Sequence, residues 1–218
     1  TCALPIYQFR ETGKGREKPP CEKKTSARRF FFGKTGDKMS HKILMDAGSV
    51  GRSVTRLSHE ILERNDNADE IVLIGIHNRG VPLAGRIQAK IKNISGVELS
   101  LGSLDITFHR DDYRERLVIP QVQGTDISFS LEGKIVVLVD DVLYTGRTIR
   151  AAMDELNSFG RAAKVQLAVL VDRGHRELPI KADYVGKNIP THEGEHVKVT
   201  LIETDEIDGV YLIRSQES

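Results

Sequence analysis

The stretch Val136–Thr148, VVLVDDVLYTGRT, decides how the rest of the chain reads. Val136 to Val139 is an unbroken apolar run of strand length, the pattern of a strand buried on both faces. Asp140 and Asp141 close it, Val142, Leu143 and Tyr144 follow, and Thr145, Gly146, Arg147 and Thr148 open a segment with helical spacing. Gly146 allows a tight turn and a close approach of ligand to backbone. The unpaired N–H groups of a helix start, with the Thr145 and Thr148 hydroxyls, form an anion cradle. Two carboxylates beside that cradle repel phosphate, but they accept hydrogen bonds from sugar hydroxyls or help to hold a cation. A purely structural pair fits poorly, because charge at the end of a buried strand is costly unless something solvates or binds it. Strand, acid pair, cradle and helix together point to a ribose 5-phosphate site. A Walker A loop is excluded, since no G-x-x-x-x-G-K-[ST] string occurs.

Outward from this stretch, strands and helices alternate. Ser49–Asn65 reads as a helix with Val50, Val54, Leu57, Ile61 and Leu62 on one stripe. Glu70–Ile76 is a buried strand, Val81–Lys92 a helix, and Val97–Phe108 a strand broken by Gly102. A mostly polar stretch runs from His109 to near Thr125, with Leu117–Ile119 as its one apolar cluster. Ile135–Val139 is a strand, Gly146–Phe159 a helix and Val165–Val171 a strand, with short strands near Val197–Ile202 and Val210–Ile213. This alternation predicts a parallel sheet covered on both faces, with ligands at the carboxyl ends of its strands.

The 218 residues suit one domain of ordinary size or two small ones. Apolar runs such as Ile135–Val139 fall far short of the roughly 20 residues of a membrane helix. The net charge of +1 hides an asymmetry. Residues 1–38 carry ten Lys and Arg against four Asp and Glu, leaving 22 of the 32 basic and 27 of the 31 acidic residues to 39–218. Cys2 and Cys21 both lie in the first segment, so the remainder holds no disulfide, cysteine nucleophile or thiolate zinc site. Lack of structural cysteines fits a reducing cytosol. Residues 1–38 show no periodicity and are expected to be a disordered extension or an artefact upstream of a start at Met39; the competing reading is a basic RNA-binding arm. His192–His196 matches H-E-x-x-H, but Pro190 before it and Gly194 within it make an exposed loop rather than a zinc helix.

VVLVDDVLYTGRT resembles the phosphoribosyl-pyrophosphate (PRPP) motif of type I phosphoribosyltransferases. With VTRLSHEILERN (54–65), IGIHNRG (74–80), LDITFHRDD (104–112) and LAVLVDRGHRELPIKADYVGKNIPT (167–191), the chain is similar to the PyrR family of pyrimidine operon regulators, which also act as uracil phosphoribosyltransferases. The resemblance covers nearly all of 39–218 and none of 1–38. It implies an α/β fold of one phosphoribosyltransferase-like domain over 39–218, a mainly parallel twisted sheet flanked by helices, with a small hood from Asp172 to Pro190. It implies that Asp140 and Asp141 bind the ribose hydroxyls, that Thr145, Gly146, Arg147 and Thr148 hold the 5′-phosphate, and that Val142, Leu143 and Tyr144 complete the PRPP loop. His77 to Gly80 becomes the pyrophosphate loop, with Asn78 and Arg79 as contacts and a non-proline cis peptide. Asn78 stands where the family often has Thr. Arg110 opens a flap reaching Thr125 and joins Asp140, Asp141 and Arg79 as a catalytic candidate. Arg173 and Val197 are nucleotide contacts.

The implied reaction joins uracil to PRPP, giving UMP and pyrophosphate, with Mg²⁺ bound mainly through PRPP and pyrophosphate and not by side chains. No general base emerges from the sequence. The resemblance also implies an RNA surface of Thr55, Arg56, His59, Arg176, Lys181 and Lys187, binding pyrimidine-operon leader mRNA and attenuating transcription in response to UMP. A homodimer or higher homo-oligomer in the cytoplasm, with no membrane partner, completes this expectation. The alternative is a salvage phosphoribosyltransferase without RNA regulation. Deleting residues 1–38 is expected to change neither phosphoribosyl transfer nor RNA binding when full and shortened chains are assayed side by side; a clear loss of either restores the basic arm.

Overall fold

Successive side chains of a strand point to opposite faces, so a run such as Val136–Val139 needs cover on both. In the computed structural model, which describes residues 40–106, 124–192 and 194–214, helices and loop segments supply that cover. The chain runs β1 (Ser40–Met45), α1 (Ala47–Arg64), β2 (Ile71–Ile76), α2 (Gly80–Ser95), β3 (Ser100–Leu104), β4 (Ile135–Leu143), α3 (Arg147–Leu156), β5 (Lys164–Asp172), β6 (Tyr184–Asn188), β7 (Glu195–Thr200), α4 (Ile202–Asp205) and β8 (Gly209–Arg214).

Five strands form a parallel sheet in the order β3-β2-β4-β5-β6. Leu73, Val137 and Ala168 face a core with Val54, Leu57 and Ile61 of α1 and Leu83, Ile87 and Ile91 of α2. Val72, Val136 and Leu167 face a second core with Ile149, Ala152 and Leu156 of α3 and with Leu131. Asp46 caps α1, its Oδ1 accepting from the Ser49 amide at 2.7 Å. A separate antiparallel sheet, β1-β8-β7, adds Met45, Val199 and Val210 to the first core.

The strand order reverses between β2 and β4: the chain leaves β2 toward β3 on one side and leaves β4 toward β5 on the other. Loops therefore diverge there and open a crevice at the carboxyl ends of the two strands, the common ligand position in such sheets.

The parallel sheet and its flanking helices match the sequence expectations, but the central strand runs past the expected end at Val139, since Asp140, Val142 and Leu143 still pair with β5. Other details differ as well. Residues 68–70 form a 3₁₀ turn ahead of β2, and among the described residues the strand expected over 97–108 spans Ser100–Leu104, where it pairs with β2. β1 and β6 lie where no strand is expected: each is an edge strand of its sheet with few fully buried side chains, so its apolar signal is weak. β6 also divides the expected hood, since Tyr184–Asn188 belongs to the main sheet and only the segment before it lies outside. Residues 1–38, Leu117–Ile119 and Arg110 lie outside the described residues.

One polar cluster is sealed in the first core. Asn65 Nδ2 donates to the Ile61 carbonyl at 2.8 Å and lies 3.1 Å from both Gln166 Oε1 and the Tyr184 hydroxyl, while Gln166 Nε2 donates back to Asn65 Oδ1 at 3.1 Å. Removing one member leaves the others buried and short of partners. Asn65→Ala is expected to cost about 2 kcal/mol, read as a lower urea midpoint with an unchanged slope.

Candidate active site

Segments leaving the carboxyl ends of β2, β4 and β5 build the site. The first is His77–Arg79, which runs directly into α2. A Cβ added at Gly80 would lie 2.3 Å from the Val139 carbonyl oxygen, so only glycine lets this loop press onto the end of β4. The His77–Asn78 peptide is cis, as expected. His77 Nε2 is buried and, among the described residues, has no hydrogen-bond partner. Asn78 is exposed and Arg79 half-buried.

The acid pair stands in the C-terminal half of β4, which runs on to Leu143. Asp140 is only 7% exposed, and its Oδ1 accepts the Asp141 amide at 2.9 Å. Asp141 Oδ1 accepts the Val142 amide at 2.8 Å. These local bonds fix both carboxylates at the mouth of the crevice. Burial pushes the Asp141 carboxyl above its ordinary range, and the positive charge of Arg79 opposes that shift.

The cradle follows. Gly146 adopts φ 95°, a left-handed conformation that glycine tolerates, and α3 starts at the next residue. The first bond back onto the turn runs from the Arg150 amide to the Gly146 carbonyl at 3.0 Å, so the amides of Arg147, Thr148 and Ile149 precede the intrahelical ladder. The Thr145 carbonyl accepts the amides of Glu177 and Leu178 at 3.0 and 3.1 Å, which stitches the segment after β5 to the cradle. That segment also ties itself down. Arg176 donates to the carbonyls of Ile180, Tyr144 and Gly174 and pairs with Asp172.

Arg173 is 9% exposed and sits under the Tyr144 ring, its guanidinium carbon 3.9 Å from the ring centroid. It donates to Thr191 Oγ1 at 3.2 Å and to the Glu195 carbonyl at 2.7 Å. Val197 lies apart from the main sheet, in β7 opposite Leu212. Arg110 falls outside the described residues, but the two ends of its segment meet. The Asp105 amide donates to Thr125 Oγ1, and the Gly124 amide to Asp105 Oδ2, both at 3.1 Å.

A phosphoribosyl transferase domain model matches residues 40–204. A bifunctional protein PyrR from Roseiflexus sp. is 53% identical over 178 residues, spanning 81% of this chain and 97% of that protein. Another from Deinococcus deserti is 56% identical over 169 residues, 78% of this chain and 92% of that protein. The chain belongs to the PyrR family. Among solved structures, the hypoxanthine phosphoribosyltransferase of Trypanosoma cruzi matches with a TM-score of 0.61 and 19% identity, over 80% of this chain and 97% of that one, a likeness of fold.

For the PyrR RNA surface expected from sequence, the structure brings some residues together and separates others. Thr55, Arg56 and His59 lie on α1, and Arg56 Nη2 donates to the carbonyls of Val185 and Gly186 in β6. Lys187, two residues after Val185, donates to the Leu44 carbonyl at 2.9 Å. Lys181 is exposed in the segment between β5 and β6, and Arg176 is the brace beneath the cradle.

Sequence reasoning missed a charged clamp behind Arg79. Arg79 Nε and Nη2 donate to the two oxygens of Asp205, at 3.0 and 2.8 Å. Arg86 donates to both oxygens of Glu203 and both of Asp208 at 2.6–2.8 Å. In sequence, TDEID at 204–208 looks like any solvated acidic turn, and nothing there points back to residues 79 and 86. The Arg79 guanidinium holds the Asp205 carboxyl down at about 2, against 3.8 for an ordinary aspartate. A depressed carboxyl stabilises the fold fully above its unfolded value and loses that contribution as pH falls through the folded one. The stability difference between the native chain and Asp205→Asn is therefore expected to be constant near neutrality and to shrink between about pH 4 and pH 2, measured by urea midpoints across that range.

Proposed function

We propose that this protein is a uracil phosphoribosyltransferase which, with UMP in the same site, binds pyrimidine-operon leader RNA and attenuates transcription in the cytoplasm. One observation carries the catalytic half: acid pair and anion cradle follow one another on one strand and turn, with the Arg79 loop pressed against that strand at Val139, next to the acid pair. Ribose hydroxyls donate to Asp140 and Asp141. The 5′-phosphate accepts from the amides at the start of α3 and from the Thr145 and Thr148 hydroxyls. Val142 and Leu143, the last residues of β4, carry the backbone from the acid pair to the cradle, and Tyr144 follows them. Arg79, with Asn78 beside it, offers guanidinium N–H groups to pyrophosphate oxygens.

In the reaction N1 of uracil forms a bond to C1′, the bond from C1′ to the pyrophosphate oxygen breaks with its electron pair, and the N1 proton is lost. Arg79 stabilises charge gathering on the departing pyrophosphate. Arg173 and Val197 border the base. Among the described residues no group of three or more His, Cys, Asp or Glu side chains gathers to hold a metal. Two carboxylates suit a Mg²⁺ that arrives on PRPP, because that ion commonly takes one or two carboxylates plus substrate phosphates. When bound, it supplies positive charge to the leaving pyrophosphate.

The RNA half rests on Thr55, Arg56, His59, Lys181 and Lys187, polar and cationic groups suited to phosphates and unpaired bases, while Arg176 braces the segment that carries Lys181. Homodimerisation doubles that surface. If UMP favours the RNA-binding form, RNA tightens UMP binding by the same factor. The bifunctional names of the PyrR relatives favour this reading over salvage alone. Uracil, PRPP and Mg²⁺ are expected to yield UMP, and UMP to tighten binding to a pyrimidine-operon leader RNA in a filter assay. Asp141→Asn is expected to lower PRPP use about tenfold or more while His59→Ala weakens RNA alone. No UMP formed removes the enzymatic reading, and no UMP-dependent gain removes the regulatory one.

A further inference from the structure

The pyrophosphate loop is short, and the side chain that gives it charge carries five N–H donors in a rigid planar fork on a flexible stem. A guanidinium left loose over a crevice must be ordered each time substrate binds. Here it is not loose. Asp205 takes the Nε and Nη2 edge of Arg79 in a two-point pair, and its own carboxylate is fixed by the Leu201 amide at 3.2 Å and the Thr204 hydroxyl at 2.7 Å. The turn bearing Asp205 is fixed in turn. Arg86 grips Glu203 on one side of Asp205 and Asp208 on the other, and Asp208 Oδ1 accepts the Ile202 amide at 2.8 Å. Pairing through Nε and one Nη2 hydrogen leaves three N–H hydrogens of Arg79, on the edge away from Asp205, to offer elsewhere. Asp141 of the acid pair also lies within electrostatic reach of the Arg79 guanidinium.

We infer that Asp205 is a positioning residue for phosphoribosyl transfer, holding the Arg79 guanidinium in the orientation that receives the pyrophosphate of PRPP. This inference rests on the catalytic reading above and extends it to an acidic turn some 125 residues away in sequence. Asp205 touches no substrate and acts only through Arg79. A carboxylate is required, because two parallel N–H donors need two acceptor oxygens, and an amide supplies one.

The test compares the full chain with Asp205→Asn, Asp205→Glu, Arg79→Lys and the Arg79→Lys/Asp205→Asn double variant, in steady-state assays with PRPP, uracil and Mg²⁺ and with pyrophosphate as inhibitor. Asp205→Asn is expected to raise the KM for PRPP and the pyrophosphate inhibition constant about tenfold and to leave the KM for uracil unchanged. Asp205→Glu, which keeps both oxygens, recovers most of that loss. In the Arg79→Lys background, where no two-point pair exists, Asp205→Asn has little further effect. The inference is overturned if Asp205→Asn shifts both KM values together, shifts neither, or acts equally in both backgrounds, and also if Asp205→Asn and Asp205→Glu both fail to fold, since the residue is then structural. If the native chain forms no UMP, it is the catalytic reading that fails.

Discussion

The site depends on a close approach of two strand ends. β2 and β4 are neighbours in the sheet, yet the chain leaves them in opposite directions, and the loop after β2 passes over the Val139 carbonyl of β4. Gly80 makes this passage possible, since a side-chain carbon there would collide with the Val139 carbonyl. The same approach brings Arg79 within electrostatic reach of Asp141. Loop, acid pair and cradle are thus parts of one junction, and displacing α2 by the width of a methyl group would separate them.

Charge balance follows from that geometry. Burial disfavours the ionised Asp141, and Arg79 restores part of what burial removes. Arg79 in turn carries a second partner, Asp205. A single cation therefore serves a carboxylate of the crevice and a carboxylate of the turn after β7, and the Arg86 clamp keeps that turn in place. On the far side, the Thr145 carbonyl holds the segment after β5, and the Tyr144 ring covers Arg173. Main-chain and side-chain hydrogen bonds, rather than apolar contact alone, fix the groups that face the crevice.

Much of this was legible in the sequence for a physical reason. Strands buried on both faces leave unbroken apolar runs, and β2, β4 and β5 have them; α1 and α3 show one apolar stripe each. The turn after β4 was legible because acid pair, glycine and hydroxyls are contiguous there. The edge strands β1 and β6 were not, since a strand covered on fewer sides carries a weaker pattern. Neither was the clamp, because Arg79 and Asp205 meet only through the tertiary fold, and local spacing cannot encode a pair so far apart. Arg176 shows the same limit: a basic residue in a loop reads as available charge, whereas its guanidinium serves three carbonyls and a carboxylate within the chain.

The central claim is that one turn at the tip of β4 grips a phosphorylated sugar. A crystal structure with UMP measures it most directly. The account predicts phosphate oxygens within hydrogen-bond distance of the amides of residues 145–148 and ribose hydroxyls on the Asp140 and Asp141 carboxylates. A nucleotide bound elsewhere, with both aspartates untouched, would contradict it.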